Sequence, residues 1–226
     1  MLTAKLILER LDKDFKLLER KEQPSRSFVL GFLKLLYVPH ASIQSGTPYS
    51  MNDITDVARD IDSQGAGRNC KGTLKIGSTP GDSEQFVCPG SNGANWPLTT
   101  QYSIVGEQLG IVVGTGVGAV TPADIALGTR ILHGTQANRL EYGGCELVNL
   151  VFANPNGEFT IRRYFTNHSG GNITVQEAGI YAGGTKYVTN NAGFSYPFCI
   201  ARDITGAVAV ADTEILRVTY VIQITV

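Results

Sequence analysis

Apolar side chains recur along residues 2–22 at Leu8, Leu11, Phe15 and Leu18, with Ala4 and Met1 extending the series backward. Steps of three and four residues are the seam of an amphipathic or coiled-coil helix. Glu9, Lys13, Lys16, Glu19 and Arg20 fill the polar remainder. The spacing therefore predicts a helix over 2–22, and one this short is marginal in water without a partner. Gln23-Pro24-Ser25 ends it, because proline lacks a donor and clashes with the preceding turn. A second helix is expected over 25–37, where Phe28, Val29, Phe32, Leu33, Leu35 and Leu36 cover more than half of the circumference. Gly31 within it allows another backbone close, and Pro39 closes it. Surface so apolar calls for cover by other chains.

Beyond residue 40 the pattern changes. Ser, Gly, Thr, Asn and Pro dominate 41–100, which reads as short strands and long loops, with 71–77 the clearest strand. Later, 109–113 is a buried strand. Residues 147–153, the turn 154–157 and residues 159–166 form strand, turn and strand. Turns at 167–172 and 190–193 frame strands at 173–181 and 198–203. At the end, Leu216, Val218, Tyr220, Ile222, Ile224 and Val226 alternate with Arg217, Thr219, Gln223 and Thr225, which is the period of a strand with one buried face. Short connections force antiparallel pairing. The fold expected is mainly β: an antiparallel β-sandwich body over 40–226, with a loop-rich insertion at about 41–100, preceded by an N-terminal helical assembly segment over 1–39.

Composition narrows the function. Charged residues are 17% of the chain, fewer than the roughly 25% of an average soluble domain, while the hydrophobic share of 42% is ordinary. With 26 glycines, that reads as many turns and much surface covered by neighbours. A net charge of -1 provides no basic field for phosphates, which argues against direct nucleic-acid binding. Charges from Lys5 to Lys13 interrupt any secretory core, and the apolar run 28–38 carries Lys34 and is too short to span a bilayer. Synthesis in a cytoplasm with no membrane anchor is expected. Cys70, Cys88, Cys145 and Cys199 contain no CxxC pair, and only three histidines are present, so neither a metal site nor a cofactor is expected. The cysteines read as buried thiols, with a Cys70–Cys88 disulfide as the alternative. Trp96, the sole tryptophan, reads as core or interface packing.

Motifs that suggest chemistry fail on context. Gly114-Thr115-Gly116-Val117-Gly118-Ala119 follows a strand, as in dinucleotide sites, but no βαβ alternation follows and no GKS or GKT completes a phosphate loop. It reads as a glycine-rich turn. Thr121-Pro122-Ala123-Asp124 has the grammar of a helix start, opening a single turn through Ala126 and Leu127. Ser103, Ser169 and Ser195 lie in no nucleophile elbow, and His133 and His168 read as surface or hydrogen-bonding residues. Glu177 stands in an apolar strand, where a carboxylate must reach solvent, cross an interface, or pair with Arg162, Arg163 or Arg202. A structural ion pair is the expected outcome, because a glycosidase would need an opposing second carboxylate that the sequence does not nominate. No catalytic residue is predicted.

The stretch from Phe159 through Arg162-Arg163-Tyr164-Phe165-Thr166-Asn167-His168-Ser169-Gly170 to Ile173-Thr174-Val175-Gln176-Glu177-Ala178-Gly179-Ile180-Tyr181 resembles a pattern recurring in structural proteins of tailed bacteriophages. There, a strand ending in aromatic-Thr-Asn turns through Ser-Gly and returns as Ile-Thr-Val-x-Glu-x-Gly-aliphatic-Tyr. Residues 110–116 with 121–124, Ala201-Arg202-Asp203, the final strand and Gln23-Pro24-Ser25-Arg26-Ser27-Phe28 fit the same look, about half of the chain in all. The resemblance implies a virion protein, made in the host bacterial cytoplasm, that self-associates and docks onto capsid, neck or tail without enzymatic activity. Interface residues expected from the leading helices are Leu8, Leu11, Phe15, Leu18, Phe28, Phe32 and Leu36. The alternative is a receptor- or carbohydrate-binding fibre or baseplate module using the loops of 41–100 and Trp96.

Overall fold

The computed structural model describes residues 2–25, 28–41, 49–62, 75–76, 84–87, 109–153, 155–187 and 193–225. Trp96, Cys70, Cys88 and most of the predicted loop-rich stretch lie outside the described residues. The elements run β1 (Leu2–Leu11), β2 (Leu17–Ser25), α1 (Leu30–Ala41), β3 (Tyr49–Asn52), β4 (Ala58–Asp62), β5 (Lys75–Ile76), β6 (Glu84–Val87), β7 (Gly110–Gly114), β8 (Leu132–His133), β9 (Arg139–Ala153), β10 (Asn156–Thr166), β11 (Ile173–Tyr187), β12 (Gly193–Val210) and β13 (Ile215–Thr225). The protein is mainly β, as its alternating C-terminal pattern predicts.

The N-terminus corrects the prediction. Residues 2–22 form no helix; β1 and β2 are a hairpin joined to the rest of the sheet. The period that wins is two: Ala4, Leu6 and Leu8 are buried on one face of β1, while Ile7, Glu9 and Leu11 alternate with them and are buried too. The helical spacing of Leu8, Leu11, Phe15 and Leu18 is coincidental, for these residues fall on two faces of β1, in a turn and on β2. Asp12 makes that turn. Its Oδ1 accepts from the N–H groups of Asp14 and Lys16, both at 2.9 Å. The Phe15 N–H donates to the Asp12 carbonyl, and Phe15 takes φ 62°. Between β3 and β4 the loop is rebuilt on the same plan. Asp53 Oδ1 accepts from the N–H groups of Thr55 and Val57, and Asp56 takes φ 63°. An aspartate at the first turn position offers the backbone this alternative to helix.

The second expected helix exists, shifted. α1 starts at Leu30, whose N–H donates to Pro122 O, and reaches Ala41, so Pro39 sits in its last turn and does not end it. Gly31 lets it lie against β12: a Cβ there would collide with the carbonyl of Cys199. Phe28 and Phe32 stack at 4.3 Å and pack on the core.

The larger sheet has six strands in the order β2-β1-β13-β10-β9-β8, antiparallel except for the short β8–β9 pair. The pairing of β1 with β13 is unbroken from Leu2↔Ile224 to Leu11↔Ile215. In the second sheet, β11 pairs with β12 on one side and with β6 and β7 on the other. A small third sheet has the order β3-β4-β5. One apolar cluster draws on both larger sheets: Leu6, Leu8, Ile161, Phe165, Leu216 and Val218 from the first, and Val112, Val175, Ala178, Ile180, Val208 and Val210 from the second. Each of the larger side chains contributes about 1.5–3 kcal/mol by leaving water. Tyr220, fully buried among them, donates its hydroxyl to Asp203 Oδ2 at 3.1 Å, which also accepts from Ser25 Oγ.

Side chains of the first sheet cap β12 and β7 of the second. Along β12, Lys21 Nζ donates to Ala207 O at 2.6 Å and Gln23 Nε2 to Ile204 O at 2.9 Å. The Val29 N–H continues the line to Ile200 O. Along β7, Arg163 Nη1 donates to Leu109 O at 2.7 Å and Ile111 O at 2.9 Å, and its Nε to Gly143 O at 2.8 Å. Edge carbonyls that would otherwise need a strand or water are thereby satisfied.

Candidate functional site

The glycine-rich turn and Glu177, the two features that drew attention in sequence, meet. Glu177 lies on β11 beside β7 and is fully buried. Its Oε1 accepts from the N–H groups of Gly116 at 3.0 Å and Thr129 at 2.8 Å. Its Oε2 accepts from the Gly128 N–H and from Arg202 Nε, both at 3.0 Å. The roughly four acceptor positions of a carboxylate are thus filled. Arg202 goes on to Asp124 Oδ2 at 2.7 Å and Gly118 O at 3.1 Å. Of the three arginines proposed as partners, Arg202 is the one; Arg162 pairs with Glu146, and Arg163 spans the carbonyls of β7.

The glycines are there for an anion, as in a phosphate loop, but the anion belongs to the protein. A Cβ on Gly114 or Gly116 would strike the Glu177 carboxylate, and one on Gly114 would also strike the carbonyl of Thr129. Backbone N–H groups converging on a negative group form a nest. Here the nest clasps Glu177. Residues 121–124 close on themselves without opening a helix: Thr121 Oγ1 donates to Asp124 Oδ1 at 2.7 Å, the Thr121 N–H donates to Oδ2, and no helix follows. Asp124 is spent on Arg202 and on its own turn. Burial alone would raise its pKa, but the Thr121 hydrogen bonds and the Arg202 guanidinium outweigh it and hold the carboxyl below its usual range. Burial would likewise lower Arg202, and the two carboxylates reverse that and raise it.

The network is a fastener. The segment it grips, 115–130, turns back along the free side of β7, where the Thr115 N–H donates to Thr129 O and the Ile131 N–H donates to Val113 O. Tyr181 adds a hold through its hydroxyl, which accepts from the Leu127 N–H at 2.8 Å. With its lone pairs filled and no exposure, Glu177 is spent on holding this segment.

The other nominated groups are similarly occupied. His133 Nδ1 accepts from the Tyr142 N–H at 3.0 Å, and His168 pairs at the surface with Glu141 at 2.9 Å. Cys145 and Cys199 are buried thiols, and burial pushes Cys199 up to about 12. Among the described residues, no group of three or more His, Cys, Asp and Glu is disposed to hold a metal ion. No helix among them is long and apolar enough to cross a membrane.

The expected interface residues separate. Leu8 and Leu11, each 2% exposed, are spent within the core of their own chain. Phe15 and Leu18 are exposed on the hairpin, Phe28 and Phe32 are half-buried, and the side chain of Leu36 lies outside the described residues. The apolar surface that the sequence reading missed is on β9: Leu147 and Val151 are exposed, and Phe152, at 78%, is the most exposed large apolar side chain described. Its signal was the run 147–153, apolar but for Asn149 and without strict alternation, which reads as a strand buried on both faces. Comparison of the chain with protein families, curated proteins and solved structures finds no match.

Proposed function

We propose that this protein is a non-enzymatic structural component of a tailed-phage particle, a β-sandwich body that self-associates and docks onto capsid, neck or tail. The observation that carries the reading is where polar and apolar groups are placed. Among the described residues, the buried polar cluster built on Glu177 is turned inward and saturated by four donors. Large apolar side chains are turned outward: Phe152, Val151 and Leu147 on β9, and Leu30, Leu33 and Tyr37 along α1. Exposed apolar groups gathered on one element mark contact surfaces. The segment that resembles phage structural proteins supports it. It falls on β10, its turn and β11, the link between the two large sheets, where Asn167 Nδ2 ties the turn to Gly171 O and Val210 O at 2.7 and 2.8 Å.

Light scattering on the purified chain across a wide concentration range tests this reading. The expected result is a defined oligomer. A monomer at every concentration would sink it.

A further inference from the structure

We infer that self-association runs through the outer edge of β9, which pairs antiparallel with the same edge of a second copy to make one sheet across a two-fold axis. This rests on the self-association proposed above and names its surface.

An edge strand presents a row of unpaired N–H and C=O groups, so a fold must cover it, guard it or use it. Three edges of the larger sheets are covered or guarded. β2 carries Glu19, Arg20, Lys21 and Glu22 in succession and then Pro24, which has no donor to offer. β12 is capped by Lys21, Gln23 and Val29, and β7 by Arg163 and the returning segment 129–131. β9 is different. Its short neighbour β8 occupies only Arg139 and Leu140. Across 141–153 the described residues place β10 on one side of β9 and no strand on the other. Gly143 O is taken by Arg163, which leaves 146–153 as the open stretch.

That stretch has no device against pairing. It contains no proline and no lysine, and its one ionisable side chain, Glu146, is already bound by Arg162 at 2.7 Å. Exposed apolar groups flank the edge on both faces. Leu147 lies opposite core residue Ile161 and hence on the core side, and Val151 lies opposite Glu158 on the other. Phe152 rests over Gly157, where a Cβ would meet the ring at 3.2 Å.

Charge selects the occupant. A foreign strand steered by charge would find only a neutralised one in the open stretch. Two identical edges brought together about a two-fold meet apolar against apolar on both faces, with no like-charge repulsion. Isologous pairing of this kind is self-complementary and closes after two copies. The guarded β2 edge at the far side of the sheet then stops growth.

The test is light scattering on the full chain as wild type and with Val151→Lys, Phe152→Lys, Leu18→Lys and Leu33→Lys. The expected result is a wild-type dimer whose Kd rises at least about thirtyfold in the two β9 variants, as for a central interface anchor. Leu18→Lys on β2 and Leu33→Lys on α1 should leave it unchanged. Circular dichroism checks that each variant folds. Should the β9 variants misfold, hydrogen exchange on the wild type decides, since amides of 146–153 should slow as concentration rises. An oligomer that survives both β9 variants but is lost in Leu18→Lys or Leu33→Lys overturns the edge pairing and leaves the self-association reading standing. A wild-type monomer overturns both, with the edge then covered within its own chain or by a different protein.

Discussion

The two outer regions of the six-stranded sheet, β2 on one side and the open part of β9 on the other, face the same backbone problem and answer it oppositely. β2 is built from long charged side chains, and two of its residues reach past the sheet: Lys21 and Gln23 satisfy carbonyls of β12. The stretch 146–153 of β9 is apolar but for Asn149 and the neutralised Glu146, and it carries the exposed ring of Phe152. A guarded edge spends side-chain entropy to satisfy its own molecule. An unguarded edge leaves its backbone groups for another chain. The difference teaches that, on the self-association proposed above, stability rests on the guarded edge and assembly on the unguarded one.

The sharpest way to break that division is at Arg163, which holds the β7 edge from within. Arg163→Met keeps most of the side-chain volume and removes donors to Leu109 O, Ile111 O and Gly143 O in a buried setting. Leaving several buried acceptors unpaired costs roughly 3–5 kcal/mol. Urea unfolding should register the loss, while the oligomeric state of the folded fraction stays as in wild type. A change below about 1 kcal/mol would mean that β7 is not held by this residue.

Glu177→Gln comes next. The amide keeps one acceptor but turns an NH2 group toward either the Gly128 N–H and Arg202 Nε or the Gly116 and Thr129 N–H groups. Loss of charge-assisted bonds of this kind costs about 2–3 kcal/mol. The effect should be local, with faster hydrogen exchange at the Gly116, Gly128 and Thr129 amides and unchanged exchange along β1 and β13. Uniform acceleration would show that the clasp supports the whole fold and is no separate guard for β7.

How far these features can be read in the sequence depends on the range of the interaction. The last strand is legible because alternation is local and one face is buried along its length: Leu216, Val218 and Tyr220 are each fully buried. β10 and β11 are legible from the turn residues between them. The N-terminal hairpin is not, because Leu, Glu, Lys and Arg are good helix formers and propensity yields to tertiary pairing. Its only local sign was Asp12-Lys13-Asp14, and the αL residue of that loop is Phe15 where glycine or asparagine is usual. For Glu177 the sequence narrows the partner to three arginines. Choosing Arg202 requires the pairing of β11 with β12, where Arg202 lies opposite Gly179 and Ile204 opposite Glu177. The open edge of β9 is illegible for the same reason: a strand apolar on both faces looks alike whether both faces are covered or neither is.

A smaller effect is expected at the β12 guard. Lys21→Ala with Gln23→Ala removes two caps from exposed or half-exposed positions, worth about 1–2 kcal/mol together. The informative readout is association. With the carbonyls of Ala207 and Ile204 unguarded, the variant should form species larger than the wild-type oligomer at high concentration. Wild-type size at all concentrations would mean that the side chains of β2 satisfy β12 without protecting it.

The smallest effect is a dependence on pH. Asp124 is held below its usual range when folded, so it binds a proton more readily in the unfolded chain. Its contribution is complete above the unfolded carboxyl pKa of about 3.9 and is lost as pH falls through the lower folded value. Protonation releases Arg202 from Asp124 and loosens the hold on the segment that returns along β7. Asp124→Asn should therefore unfold with a flatter stability profile than wild type below about pH 4, and match its slope above pH 5. Asp53 and Glu9, also held low, titrate in the same acid range in both proteins and cancel in the difference. Parallel profiles throughout would mean that Asp124 caps its own turn without fastening the guard of β7, and the clasp would reduce to Glu177 and Arg202 alone.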